Sequence, residues 1–289
     1  MFTLENDQLR ITVSPRGAEL QEICHKANGL QYLWGGDPAF WGKKSPVLFP
    51  IVGTLKKNTF YFEGQPFELG RHGFARDMDF VADGQGPHDL VLLLKDNQAT
   101  QAHYPFRFEF RVIYQLSSNA LSVTYQVLNR TKGDIYFSVG GHPAFRVPLV
   151  HGTTYSDYYL RFEQDEALLR WPISGEGLIE TRPVELGQEG GRLGLTHALF
   201  ARDALVFKSL RSRVVSLVSD KTTHGLDFHF GAFPYLGIWA AKGADFVCIE
   251  PWCGIADSVE ADQQLVHKEG MIRLGESALF DRTWKTVFY

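Results

Sequence analysis

Cysteine is scarce in this chain of 289 residues: Cys24, Cys248 and Cys253 are odd in number and form no CxxC spacing. That pattern excludes a disulfide framework and a CxxC-type zinc cage, and the three read as reduced thiols. Long apolar runs are missing too. The longest are stretches such as Val91, Leu92, Leu93 and Leu94, far short of the roughly 20 residues that a membrane-crossing helix needs. Basic clusters are equally absent: 29 Lys and Arg stand against 33 Asp and Glu, for a net charge of −4, and no segment concentrates positive charge. Neither a membrane nor a nucleic acid is therefore expected as a partner. The first seven residues carry no basic region followed by an apolar one, so nothing suggests export and the cytoplasm is the expected location. Helical signal is poor as well. Only 97–101 and 196–200 could each make a turn or two, and no amphipathic segment is long enough for a βαβ crossover, which argues against a parallel α/β sheet.

What the chain has in quantity is aromatic residues, 13% of the total. Many of them alternate. From 106 to 116 every second residue is large and apolar while most of those between are polar, the period-two pattern of a half-buried strand. Residues 121–127 repeat the pattern after a four-residue connection, which predicts an antiparallel hairpin. Further strands are expected at 9–13, 20–25, 59–62, 90–95, 135–139, 159–162, 204–208, 214–219, 226–230, 236–240, 246–250 and 278–288. Turn clusters such as 82–87 and 189–191 separate them. There is no Ser/Gly linker, internal repeat or low-complexity tract. The expected architecture is all-β, one large antiparallel β-sandwich spanning 1–289, with a two-domain split as the less economical option.

Chemistry is sought where functional residue types interrupt this pattern. In 45–58 two prolines bracket an apolar run that ends in Gly53, Lys56 and Lys57; a buried strand followed by an ordinary turn is the plain reading. In 70–77 a glycine-punctuated loop carries Arg71, His72 and Arg76, and a solvated loop with an Arg76–Asp77 charge pair is the competing reading. In 138–145 a strand runs through two glycines into His142, which is restrained by Pro143; that much local constraint around one imidazole favours function over a core histidine. In 246–258 alternation puts Glu250 on one face with Cys248 and Phe246, where apolar company should raise its pKa. A facing Glu250 carboxylate and His142 imidazolium could take one proton and give another near neutrality. Asp227 and His229, with His224 nearby, could imitate a metal site, yet they read as the polar face of a half-solvated strand.

The segments Phe49-Pro50-Ile51-Val52-Gly53, His72-Gly73-Phe74-Ala75-Arg76, Gly140-Gly141-His142-Pro143-Ala144-Phe145 and Ile249-Glu250-Pro251-Trp252 occur in that order. Together with Leu4-Glu5-Asn6, Gly17-Ala18-Glu19-Leu20, Tyr32-Leu33-Trp34 and Trp41, they resemble the aldose 1-epimerase (galactose mutarotase) family, and within it the LacX-type branch, over essentially the whole chain. The resemblance implies a β-sandwich of the galactose mutarotase type with a sugar cleft. It also implies interconversion of α and β anomers without metal or organic cofactor, and a small sugar as the only partner of a monomer or homodimer. Carried over by position, Glu250 matches the family's general base, His142 its general acid and His72 the assisting second histidine. Arg76 matches a substrate-contacting basic residue, with Lys56 and Arg71 as further charges nearby. Asp203 is the best match to the family's sugar-holding aspartate. The family's Gly-Arg-x-x-Asn-Arg-type segment is altered here, its first arginine being Thr54. Two rival readings remain: a hexose-6-phosphate 1-epimerase gripping its phosphate through Lys56, Lys57, Arg71 and Arg76, and a non-catalytic sugar-binding or sensor protein.

Overall fold

The alternation at 106–116 is realised as the strand Phe108–Ser117, which pairs antiparallel with Ala120–Asn129. Ser118 and Asn119 make the turn, with Ser118 in the left-handed region at φ +51. Register sets buried residues opposite one another: Phe110 faces Val127, Val112 faces Tyr125, Tyr114 faces Val123 and Leu116 faces Leu121. Each such side chain contributes roughly 1.5–3 kcal/mol through burial, so this hairpin anchors the sheet around it. These features come from a computed structural model that describes residues 1–188 and 190–289; Glu189, the first residue of the expected 189–191 turn, lies outside them.

The hairpin lies inside a nine-stranded sheet. Its order runs from Arg192–Gly194 through Tyr158–Phe162, Val214–Ser219, Thr222–His229, Leu279–Phe288, Ala120–Asn129, Phe108–Ser117 and Asp89–Lys95 to Val81–Gln85. A second sheet runs Val184–Leu186, Leu168–Trp171, Leu205–Phe207, Tyr235–Trp239, Phe246–Trp252, Gly140–Gly141 and Val47–Leu48, with Ala144–Arg146 also paired to Phe246–Trp252. All the strand pairings are antiparallel. The two sheets pack face to face: Phe145 meets Phe228 with ring centroids 5.8 Å apart, and Phe207 meets Phe162 at 6.0 Å. This is the expected all-β sandwich. A four-stranded sheet from the first 31 residues packs its Leu4, Ile11, Val13 and Ile23 into the same core.

The second sheet has two apolar faces. Leu205 and Phe207 belong to the large core, whereas Val206 joins Leu48, Val52, Ile179, Ala204, Trp252, Ile255 and Ala256 in a smaller cluster on the outer side. Alternation along Phe246–Trp252 puts Glu250 and Cys248 on the same outward side as Trp252. The weak helical signals are one short α-helix, Gln98–His103, and one 3-10 turn, His197–Phe200. Asn97 caps the helix by accepting a bond from the Thr100 N–H at 3.0 Å.

Candidate active site

The outward face of the second sheet is floored by Glu250, which is 1% exposed. The strand bearing it lies between Tyr235–Trp239 and the short strands on either side of His142: Gly140 pairs with Trp252, and Ala144 pairs with Cys248. That pairing carries the His142 ring over the carboxylate, with Nε2 3.2 Å from Glu250 Oε2. The contact is short but out of line for a hydrogen bond. Among protein groups Glu250 Oε2, His142 Nδ1 and Trp252 Nε1 all lack a hydrogen-bond partner. Buried polar atoms without partners are uncommon, and three of them around one cleft mark a site built for something else to bind.

Space for the floor is made by missing side chains. A Cβ on Gly237, which pairs with Glu250, would collide with the Trp252 indole, and one on Gly140 would come within 2.8 Å of the same ring. Trp252 therefore lies flat between two glycines, beside the carboxylate. Trp41 and Trp239 form the walls, with ring centroids 5.0 and 5.6 Å from that of His142.

His72 approaches from the loop 70–77. Its Nδ1 accepts a hydrogen bond from the Gly53 N–H at 3.1 Å, and the His72 main-chain N–H donates to the Gly53 carbonyl at 2.9 Å. Because an amide can only donate, Nδ1 is the bare nitrogen, so the neutral ring keeps its proton on Nε2. Gly53 holds φ +77 against the Ala256 backbone, where no side chain would fit. The segment is pinned from behind. The Asp257 N–H donates to Thr54 O at 2.8 Å, and Asp257 accepts from the Lys56 N–H at 2.9 Å and from Lys268 Nζ at 2.8 Å. Lys268 and Asp257 are both buried, so this ion pair welds the two loops together.

Burial sets the charge states. It pushes the Glu250 carboxyl well above the usual carboxylate range. Burial also takes the His142 imidazole down to about 3, with the nearby Arg71 and Arg76 acting in the same direction. His72 is held well below its ordinary value by burial, then by His142 and the two arginines. Both directions favour the uncharged forms, a carboxylic acid facing a neutral imidazole, over the carboxylate–imidazolium pair expected from the sequence. Both arrangements contain one proton, and they differ only in which side of the 3.2 Å gap holds it.

The rim of the cleft carries the charge. Arg71 Nη2 lies 3.4 Å from Asp203 Oδ1, and Asp203 sits at φ +116 with the same oxygen accepting the Ala204 N–H at 2.7 Å. Arg76 donates from Nη2 to the Arg71 carbonyl at 2.9 Å, and its Nε is 3.7 Å from Asp77. The cleft measures about 370 Å³ and is lined by Trp41, Arg71, His72, Arg76, His142, Asp203, Ala204, Trp239, Glu250 and Trp252, within the range of small-molecule sites. A larger groove of about 660 Å³ near Met1, Gln21 and Arg146 has no histidine in its lining.

Six of the seven residues singled out from the sequence meet in this cleft. Lys56 does not, and its expected place there is corrected: its ammonium donates to Val259 O at 2.9 Å and Ala261 O at 3.2 Å, beneath the loop. Lys57 likewise contributes nothing to the lining. The roles of Trp239 as a wall and of Trp252 beside the Glu250 carboxyl were not read from the sequence, although alternation already sets Trp252 on the Glu250 face. Asp227 is held by the Ser216 hydroxyl at 2.6 Å and the Tyr289 hydroxyl at 3.2 Å, and takes no part in a ligand cluster. Among the described residues the side chains that do converge as metal ligands could are His142, Cys248 and Glu250.

Residues 1–271 match the aldose 1-epimerase family profile. The chain is similar to the chromosomal protein LacX of Lactococcus lactis subsp. lactis, at 34% identity over 92% of this chain and 91% of that one. It is also similar to the solved structure of a galactose mutarotase related enzyme from Lactobacillus acidophilus, with TM-score 0.95 and 35% identity over 100% of this chain and 97% of the other. A galactose mutarotase-like protein from Lactobacillus casei superposes with TM-score 0.94 at 30% identity, both chains being covered in full. The chain belongs to the aldose 1-epimerase family.

Proposed function

We propose that this protein is a mutarotase that opens and recloses the ring of an uncharged aldose, with Glu250 as general base, His142 as general acid and His72 assisting. The observation that carries the reading is the Glu250–His142 contact of 3.2 Å on the floor of an aromatic-walled cleft. Ring opening needs a proton removed from the anomeric hydroxyl and a proton delivered to the ring oxygen. These two oxygens share one carbon, so an acid and a base a few ångströms apart can serve both at once. In the free protein the pair holds one proton between neutral partners. A sugar seated over the pair replaces the lost solvation with its own hydroxyls, the proton passes from Glu250 to His142, and Glu250 becomes the base. His72, its Nε2–H turned outward by Gly53, donates toward the ring oxygen as charge develops there. The opened chain rotates about C1–C2, and the same two groups reverse their roles on closure from the other face. Two side chains account for both proton transfers, so the reading invokes no cofactor.

The charges on the rim favour an uncharged sugar. Among the described residues Arg71 faces Asp203, Arg76 faces Asp77 and Lys56 is turned away, so carboxylates already offset the cations lining the cleft, which disfavours a phosphate dianion there. Asp203 and the arginines suit hydroxyls, which both donate and accept. A pure sugar sensor would need the tryptophans but not a desolvated acid facing an imidazole. The same reading takes the chain as one domain acting on a free sugar in the cytoplasm, in keeping with its three buried free thiols. The test is exchange NMR of anomer interconversion over a panel of free and phosphorylated aldoses. Rates above buffer on free aldoses are expected, and a protein that binds aldoses yet never exceeds the buffer rate overturns the proposal.

A further inference from the structure

We propose that His142, Cys248 and Glu250 together form a binding site for a borderline-soft divalent cation of the Zn²⁺ class, and that filling it shuts off anomerisation. One ligand atom from each side chain lies within 4.8 Å of the other two, and all three residues are buried. Cys248 and Glu250 are two apart on one strand and therefore project from the same face, while the Ala144–Cys248 and Gly140–Trp252 pairings fix His142 above them. The His142–Glu250 separation of 3.2 Å already matches the roughly 3.3 Å between two nitrogen or oxygen ligands on a tetrahedral zinc ion. A modest inward turn of the thiol completes a trio of nitrogen, sulfur and oxygen, a donor set that selects zinc-like ions over magnesium or calcium. Glu250 Oε2, which has no hydrogen-bond partner in the protein, is aimed into this space. The fourth position opens on the cleft, where water or a sugar hydroxyl can occupy it.

The site is built for reversible occupancy. Zinc-bound histidines ordinarily donate their second N–H to a protein acceptor, and losing that partner costs about 10–100-fold in affinity. His142 Nδ1 has none. The cation binds imidazole, carboxylate and thiolate, so the thiol proton and the proton shared by His142 and Glu250 both leave to solvent. Since that shared proton is the one exchanged with the sugar, bound cation and turnover exclude each other. This inhibitory consequence rests on the function proposed above; the site itself does not.

The experiment loads the full-length protein with Co²⁺, whose thiolate charge-transfer band reports sulfur ligation, and titrates Zn²⁺ by calorimetry in parallel with the anomerisation assay. Expected are one ion per chain, a near-ultraviolet thiolate band, and activity falling in proportion to occupancy and returning with a chelator. Cys248→Ala should abolish the band and weaken Zn²⁺ at least tenfold; Cys248→Ser, checked by thermal unfolding, replaces it if the alanine variant does not fold. Absence of the band, unchanged Zn²⁺ affinity in the Cys248 variant, or full activity at saturating occupancy overturns the proposal. Ligation through Cys248 in a protein that never anomerises aldoses keeps the site and removes the proposed function instead.

Discussion

Replacing Glu250 by Gln separates what the carboxyl does for catalysis from what it does to stability. Glutamine has the shape of the protonated acid and never ionises. In the folded protein burial raises the pKa of Glu250 well above its ordinary value, so folding favours the protonated form. Its contribution is therefore fully present below the unfolded carboxylate pKa, about 4.3, and is lost as pH rises through the higher folded value. Over that interval wild type loses about 1.4 kcal/mol per pH unit relative to the variant. A kilocalorie corresponds to roughly 2–4 °C in Tm for domains of 150–250 residues. Thermal unfolding should then show equal Tm values near pH 4 and a Glu250→Gln protein several degrees more stable at pH 7. Activity should move the other way: kcat falls by about 10²-fold or more, near 2.7 kcal/mol of barrier, while Kd for the sugar stays within about tenfold. Equal Tm at pH 7, or a less stable variant, would show that Glu250 is ionised and supported in the free cleft and would rule out a neutral pair there. Retention of kcat would remove Glu250 as the base.

His142→Asn should fold normally and lose most mutarotation, since general-acid help is typically worth about 10²–10⁴-fold; more than a tenth of wild-type kcat remaining would clear His142 of that role. The pH profile of kcat/KM should be a broad plateau. Its acidic limb reports a second proton reaching His142, whose value burial lowers to about 3, and its basic limb reports loss of the single shared proton, above the ordinary carboxylate range. That reverses the assignment expected from unperturbed groups, in which Glu250 sets the acidic limb and His142 the basic one; limbs near 4.5 and 6.5 in a pH-rate series would restore it. Arg76→Ala should raise KM for a free aldose and for its 6-phosphate by similar factors, whereas a rise confined to the phosphate would place a phosphate on Arg76. Lys268→Met leaves Asp257 buried without its partner and should cost about 3–5 kcal/mol in denaturant unfolding; a cost below 1 kcal/mol would mean that the pair does not weld the loops.

The long strands were legible because their information is local. Period-two alternation at 106–116 and 121–127 predicts the hairpin that the structure contains, and Asn97 and Thr196 stand next to the two helical turns. The strands that build the site were not. Val47–Leu48, Gly140–Gly141 and Ala144–Arg146 are two or three residues long and exist because of their partners, a non-local fact with no periodic signature. Trp239 escaped notice for the same reason: its wall position follows from pairing with Cys248, not from its own neighbours. Lys56 had the right residue type beside the right motif, but the left-handed Lys57 and the pull of two carbonyls turn its ammonium to the far side of the loop. Alternation registers the apolar company that raises the Glu250 pKa, but not how complete the burial of Glu250 and His142 is, so the strength of the bias toward their uncharged forms was not legible.

The Gly53 amide that fixes the tautomer of His72 is a main-chain donor, and this bears on how the family can vary. A side-chain donor there could be lost by any substitution of its own residue, whereas this peptide N–H sits on a glycine that close packing against the Ala256 backbone already holds in place. The residues just beyond it, Thr54 to Asn58, are where this sequence departs from the galactose mutarotase pattern. None of them lines the cleft, so their side chains can vary while His72 keeps the same nitrogen free of the Gly53 amide. The protonation pattern of this imidazole is thereby set by a main-chain atom and stays independent of the side chains that follow it in sequence.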